Sequence, residues 1–297
     1  MKTPVLDAFS KGWIGLFSRS PKARLAWHTL TGLSPHSYLA ILRWSKFEVL
    51  RQLHDTFGDV LKFLEGDDLP PATSNALLKI LRDPSQSRKL KMELAVTIDA
   101  MKLFVKATYV LEGDGPLALV AYERLTTLFA VIASEHYPNV NAVAKNLSSG
   151  DSRRERQLVA YAKSCIVPAF TYFKSKFENN LQPAVLAFKA ARYFSPPKVN
   201  EIKPTAADID SLCAISFLDS TSTIDGLKAE LPLHLAAAED VSAQTDVLQW
   251  WKSHQLELPK WAEACSLVLL MQPSSAAAER VFSILSNSFS SRQESSL

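Results

Sequence analysis

Cysteine and histidine are the side chains best suited to metal binding or covalent chemistry, and this sequence spaces them for neither. The three cysteines are far apart, and none belongs to a CxxC pair: Cys165, Cys213 and Cys265. The six histidines also lack ligand spacing: His28, His36, His54, His136, His234 and His254. We therefore predict reduced, buried thiols in an intracellular protein and ordinary core or surface histidines, without a disulfide framework or a zinc site.

Other common catalytic signatures are also missing from the sequence. It contains no glycine-rich phosphate loop, no Gly-x-Ser-x-Gly and no HExxH. These absences argue against nucleotide hydrolysis, serine-hydrolase chemistry and zinc proteolysis, and we expect no small-molecule substrate.

A basic cluster could contact nucleic-acid phosphates. It comprises Arg153, Arg154 and Arg156, with Asp151 and Glu155 interspersed. The two acids favour a solvated helix start over a phosphate site. The net charge of +3 and the pI of about 8.6 permit contact with DNA without arguing for it.

The apolar residues of the chain recur with the spacing that is typical of helices. Hydrophobic residues make up 47% of the chain, enough for a sizeable core, and the 9 glycines are too few for a turn-rich β-fold. One apolar stripe recurs at helical intervals: Leu50, Leu53, Phe57, Val60, Leu61 and Leu64. Two more follow: Leu94, Ile98, Met101 and Val105, then Val120, Leu125, Leu128, Phe129 and Ile132. We predict an all-α protein.

Prolines suggest where these helices end. Pro196, Pro197 and Pro204 mark residues 195–204 as a linker between a helical region, 1–194, and connecting helices, 205–240. Pro168 should kink or split a helix over 151–180, and Pro232 should interrupt one over 223–239. Thr205 and Asp208 predict a capping box.

The C-terminal region, residues 241–297, is the most informative. Three short helices are predicted there, over 245–253, 260–271 and 275–288, with Pro259 at the start of the second. The third presents one apolar face: Ala278, Val281, Phe282 and Leu285.

An ordered series of motifs runs through this region: Trp250-Trp251-Lys252, Leu258-Pro259, Ala262, Ala264, and Pro273-Ser274-Ser275-Ala276-Ala277-Ala278-Glu279-Arg280-Val281-Phe282-Ser283, with Arg292 beyond them. In order and spacing, over about forty positions, this series resembles the C-terminal dimerisation region of hAT-type transposases. A weaker similarity lies at Arg43-Trp44-Ser45, which resembles the start of that family's helical insertion domain.

The resemblance implies an RNase H-like catalytic fold that is interrupted by a large helical insertion. In the family, three acidic residues hold divalent metal for DNA cleavage, and Glu279 matches the third. The first two lie upstream of the insertion, and we expect this chain to be truncated, beginning at or just before it, with the catalytic strands missing. One carboxylate cannot hold a catalytic metal pair, so we expect no enzyme and no cofactor, with Mg²⁺ or Mn²⁺ only in an intact transposase.

Glu279 has two further interpretations. It can be a solvated carboxylate near a helix N-terminus, which we favour for this chain. It can also contribute one metal ligand to an active transposase whose other carboxylates lie elsewhere. A third possibility for the chain is a non-catalytic, DNA-binding accessory.

The resemblance also implies contact residues. We expect dimerisation through Trp250, Trp251, Trp261, Val281, Phe282 and Leu285, although we expect at least two of the tryptophans to pack against the chain's own helices. Trp44, with Arg43 beside it, could stack on a DNA base, but a core tryptophan is the favoured interpretation.

The predicted partner is a second copy or a related hAT-type chain, with DNA as a further candidate. The resemblance implies a nuclear location, the cytoplasm being the alternative. The sequence shows no signal peptide and no apolar stretch long enough to span a membrane, so we expect neither secretion nor membrane association.

Overall fold

The computed structural model describes residues 1–38, 44–66, 69–134, 136–175 and 183–273. Within these ranges the chain is helical and contains no strand, which confirms the all-α prediction. Several predicted site residues lie outside the described residues: Arg43, Glu279, Val281, Phe282 and Leu285.

The α-helices of the described ranges are α1 (Pro4–Arg19), α2 (Pro21–Thr31), α3 (Ser45–Asp55), α4 (Phe57–Leu64), α5 (Pro71–Arg82), α6 (Pro84–Leu111), α7 (Leu117–Ala133), α8 (Pro138–Ser148), α9 (Ser152–Lys174), α10 (Pro183–Ala191), α11 (Pro196–Ile202), α12 (Ala206–Ile209), α13 (Thr221–Ala237), α14 (Val247–His254) and α15 (Pro259–Val268). Short 3-10 segments lie at Arg192–Phe194, Asp210–Ala214 and Ser216–Leu218. None of these helices is long and apolar enough to cross a lipid bilayer.

The chain divides into two compact units. Unit 1 comprises Met1–Val105 and Val131–Phe173, and unit 2 comprises Lys106–Ala130 and Lys174–Leu297. Each unit therefore draws on two separate stretches of sequence, whereas the prediction placed one boundary at a linker over residues 195–204.

The expected linker is instead part of unit 2. Residues Pro196–Ile202 form α11, with Pro196 and Val199 buried. Proline fits the first turn of a helix because its fixed φ is helical and its missing N–H would be unpaired there in any case. Two of the three prolines that suggested a break, Pro196 and Pro197, therefore mark a helix start, and Pro204 lies in the connection between α11 and α12.

Aromatic side chains form the centre of unit 1. The ring of Trp13 on α1 lies 5.2 Å from that of Trp27, 4.9 Å from that of Phe17 and 5.7 Å from that of Phe63, each in an edge-on arrangement. Such edge-to-face pairs add to the free energy gained by burying the rings. The first two helices, for which the sequence suggested no role, thus supply much of this core.

Two buried carboxylates on α6 hold the starts of other helices in unit 1. Glu93 accepts hydrogen bonds from the Leu6 amide (2.7 Å) and the Tyr161 hydroxyl. Asp99 accepts from the Asn139 side chain (2.6 Å) and the Val140 amide (3.0 Å). Because α1 and α8 begin at prolines and their N-cap side chains make no cap bond, these carboxylates satisfy amides that would otherwise be unpaired.

The split predicted as one outcome at Pro168 and the interruption predicted at Pro232 do not occur, whereas a kink at Pro168 stays a prediction. Pro168 lies inside α9, which runs unbroken over Ser152–Lys174, and Pro232 lies inside α13. An internal proline removes one backbone donor, which the packing of a long helix can offset. Conversely, the single apolar stripe from Leu50 to Leu64 lies on two helices, α3 and α4, which meet at Thr56.

Two local predictions can be compared directly with the described residues. The capping box of Thr205 and Asp208 is present at the start of α12 and is confirmed. Cys165 and Cys265 are buried as expected, but Cys213 is exposed, because it lies on the outer side of a 3-10 segment rather than on a core-facing helix.

Candidate functional site

The C-terminal helices α13, α14 and α15 are fixed by hydrogen bonds at their starts. Asp246 caps α14 by accepting from the amides of Leu248 (3.0 Å) and Gln249 (3.1 Å). Helix α15 begins at Pro259 and has no side-chain cap from its own N-cap residue. The Glu230 carboxylate of α13 takes that place.

Glu230 joins α13 to α15. One of its oxygens, Oε2, accepts from the Lys260 amide at 3.0 Å and from the Trp261 amide at 3.3 Å. A carboxylate at this position satisfies unpaired N–H groups and interacts favourably with the positive end of the helix dipole. The first turn of α15 is therefore anchored on α13.

The three tryptophans of this region lie inside unit 2. Trp250, Trp251 and Trp261 are all buried. Trp251 Nε1 donates to the Phe194 carbonyl (2.8 Å), and Trp261 Nε1 donates to the Leu227 carbonyl (2.9 Å). All three indoles thus pack against the chain's own helices. Their direct contact with a partner stays a prediction, which this burial does not favour.

His234 of α13 is stacked between two of these indoles. Its ring centroid lies 4.4 Å from that of Trp261 and 5.2 Å from that of Trp251, with interplanar angles of 5° and 12°. His234 Nε2 lies 3.2 Å from the Tyr193 carbonyl. Since a carbonyl can only accept, Nε2 carries the proton. Burial lowers the pKa of His234 to about 4, so the ring is neutral at physiological pH.

No pattern in the amino-acid sequence indicates this arrangement. The stacked ring and the carbonyl that accepts from it are 41 residues apart, and no local spacing predicts such a contact. The stack is structural: it sets the positions of α13, α14 and α15 in the core and offers no exposed reactive atom, because His234 is fully buried.

The predicted nucleic-acid residues lie in unit 1. Trp44 precedes α3, is half-buried and packs against the unit 1 core, which favours the core interpretation over base stacking. Arg153, Arg154 and Arg156 are exposed at the start of α9. Asp151 Oδ1 accepts from the amides of Arg153 (2.9 Å) and Arg154 (3.1 Å), as expected for a solvated helix start.

The described residues do not bring together three acidic, histidine or cysteine side chains that could hold a metal ion. Glu279, the one position that the resemblance assigns to the metal site, lies outside the described residues.

Apolar side chains remain exposed on the C-terminal helices and their connections. Within the described residues, the large ones among them are Leu233, Leu248, Leu256, Leu267 and Leu270. Sequence periodicity identifies these positions as apolar but does not indicate which of them the fold leaves uncovered.

The comparisons with known proteins identify this same region. A family model described as the hAT family C-terminal dimerisation region matches residues 231–296. No curated protein and no solved structure matches the chain. The matched segment begins within α13, includes α14 and α15, and extends over the positions of Glu279, Val281 and Phe282. Over this segment, the chain is similar to the C-terminal dimerisation region of the hAT family, which supports a transposase-derived origin.

Proposed function

We propose that this chain is a self-association module derived from an hAT-type DNA transposase, which forms a homodimer or pairs with a related hAT-type chain. The observation that carries the proposal is the match to the dimerisation region over residues 231–296. The geometry supports it, because α13, α14 and α15 are held rigidly from inside while leucines remain exposed outside. Rigid elements with an uncovered apolar surface are suited to binding another protein.

The same relationship suggests the wider context of the helices. The described helices are those of a helical insertion domain and of the C-terminal part of an interrupted RNase H-like fold. The helical character of both units and the Arg43-Trp44-Ser45 element are consistent with that assignment. A nuclear location follows from the same relationship.

The proposal includes the absence of DNA cleavage by this polypeptide alone. Two-metal chemistry needs several carboxylates that converge on ions about 4 Å apart. Glu279 is the single position that matches the family's acidic residues. The enzymatic alternative is that Glu279 completes a metal site whose other ligands come from further sequence. Incubation of the chain with plasmid DNA and Mg²⁺ or Mn²⁺ should give no nicked product, and nicking would favour that alternative.

A second alternative, a DNA-binding accessory, is favoured by one observation, the exposure of Arg153, Arg154 and Arg156. Retention on a DNA column that falls steeply with salt concentration would support it. Indifference to DNA at near-physiological ionic strength would leave self-association as the function.

Self-association is tested by light scattering of the purified chain over a range of concentrations. The expected mass is twice the 32.9 kDa of one chain, and a monomer at every concentration would contradict the proposal. Truncation after Pro259 is a poor control, because it removes Trp261 and its bond to the Leu227 carbonyl. A chain that ends at Pro273 keeps every contact described for α13, α14 and α15 and is the better comparison.

A further inference from the structure

The burial of the tryptophans leaves open which surface would meet a partner. Leu267, in the last turn of α15, is 42% exposed, and Leu270, just beyond the helix, is 75% exposed. The Leu270 amide donates to the Leu267 carbonyl (3.1 Å), an i to i+3 bond. Residues three apart in such a turn are eclipsed, so both side chains point to the same side. We name this pair the leucine ridge.

The inner side of α15 is already occupied. Ala264, Cys265 and Val268 are buried in the core of unit 2. Within the described part of unit 2, the leucine ridge therefore lies on the side of α15 that faces away from the core. It is the apolar part of an outer face that begins with charged residues.

The rest of that face carries balanced charge. Lys260 and Glu263 are exposed and form an ion pair at 3.9 Å, and Ser266 is exposed between them and the leucine ridge. An apolar centre with a polar rim of both signs is the usual composition of a protein interface. Because the two charges that α15 itself contributes cancel, this helix adds no net repulsion between two copies.

We propose that the leucine ridge packs against a second copy of this chain and forms the apolar centre of the dimer. The inference rests on the proposed self-association and adds the surface that performs it. Three observations carry it: the leucine ridge lies within the matched dimerisation region, the three tryptophans of that region are internal, and the charged residues of α15 cancel. A two-fold dimer uses the same patch on both subunits, which a neutral leucine face satisfies.

The first test is the double variant Leu267→Glu and Leu270→Glu. Centrally buried anchors account for most of the affinity of an interface, so the dissociation constant of the dimer should rise more than about 100-fold. The matched control is Leu25→Glu, which puts the same change on an equally apolar site that is 68% exposed on α2 of unit 1. The control should remain dimeric, and circular dichroism should show the same helix content in all three proteins.

The results separate the two proposals. A monomeric unmodified chain refutes self-association and the leucine ridge together. A dimeric unmodified chain whose double variant is equally dimeric refutes the leucine ridge alone.

If the double variant fails to fold, a second measurement tests whether the leucine ridge contacts another copy of the chain. Leu270→Cys in a Cys213→Ser background offers one accessible thiol, since Cys165 and Cys265 are buried. A benzophenone maleimide attached there should, on illumination, join two chains and give a band at twice the chain mass. Attachment within residues 274–297 of the same chain, or no attachment above a Leu25→Cys control, would overturn the proposal.

Discussion

Acidification should destabilise unit 2 through one buried side chain, His234. The unfolded chain binds the imidazole proton with an ordinary pKa of 6.5, whereas the stacked, buried ring in the folded protein has a pKa of about 4. Between these values the unfolded state holds more protons than the folded state. The stabilising contribution is therefore complete above pH 6.5 and is lost as the pH falls towards 4.

The size of the effect follows from the same two values. One pKa unit corresponds to about 1.4 kcal/mol, so the free energy of unfolding should fall by about 2 kcal/mol between pH 7.5 and pH 5 from this group alone. That is a large part of the stability of an ordinary domain.

The measurement is urea unfolding at several pH values, followed by tryptophan emission, for the natural chain and for His234→Phe. Phenylalanine keeps an aromatic ring between Trp251 and Trp261 but cannot titrate. It also loses the bond to the Tyr193 carbonyl, which should lower stability at pH 7.5 by about 1 kcal/mol. All other titrating groups, including the neighbouring His254, are present in both proteins, so the difference between the two curves isolates His234.

At pH 7.5 the free energy of unfolding should be higher for the natural chain than for His234→Phe, and this difference should shrink as the pH falls. Near pH 5 the variant should be as stable as the natural chain, or more stable. Parallel curves for the two proteins would refute this account of the buried ring. So would a His234 ring that titrates near pH 6.5 when followed by nuclear magnetic resonance in the folded protein.

Two further substitutions test the carboxylates that anchor helix starts. Glu93→Gln removes one of two accepting oxygens and so leaves the Leu6 amide or the Tyr161 hydroxyl proton without its acceptor, which should lower the free energy of unfolding by about 1–3 kcal/mol. A loss below about 0.5 kcal/mol in urea unfolding would show that the second accepting oxygen contributes little. Glu230→Ala should lower the free energy of unfolding by about 0.5–2 kcal/mol and speed amide hydrogen exchange in the first turn of α15. The control is Glu239→Ala, which removes an exposed carboxylate just beyond the end of α13 and should change neither quantity. Equal exchange rates in both variants would contradict the anchoring role of Glu230.

Much of the fold could be predicted from the sequence because helices repeat their apolar residues every three to four positions. The stripe from Leu50 to Leu64 falls on α3 and α4, and that from Leu94 to Val105 on α6. The errors come from proline, because its effect depends on whether it lies in the first turn of a helix or inside it. Pro196 begins a helix and Pro168 lies inside one, although both suggested breaks.

The candidate site was only partly predictable. The pattern of Trp250, Trp251 and Trp261 correctly indicated a packed C-terminal region, and their burial against the chain's own helices was the expected alternative. His234 stacks on rings of two other helices and contacts the Tyr193 carbonyl 41 residues away, and Glu230 accepts from the Trp261 amide 31 residues away. Such contacts are set by the tertiary fold, so no local spacing reveals them.

The interleaving of the two units along the chain has a consequence for synthesis on the ribosome. Unit 1 comprises residues Val131–Phe173 as well as Met1–Val105, so the apolar cluster that joins α6 to α8 and α9 cannot close while those later residues are still in the exit tunnel. Lys106–Ala130 emerge earlier than the remainder of unit 2, which starts at Lys174. The nascent polypeptide thus carries unfinished apolar segments for most of its elongation, which makes it a natural client for chaperones that bind growing chains.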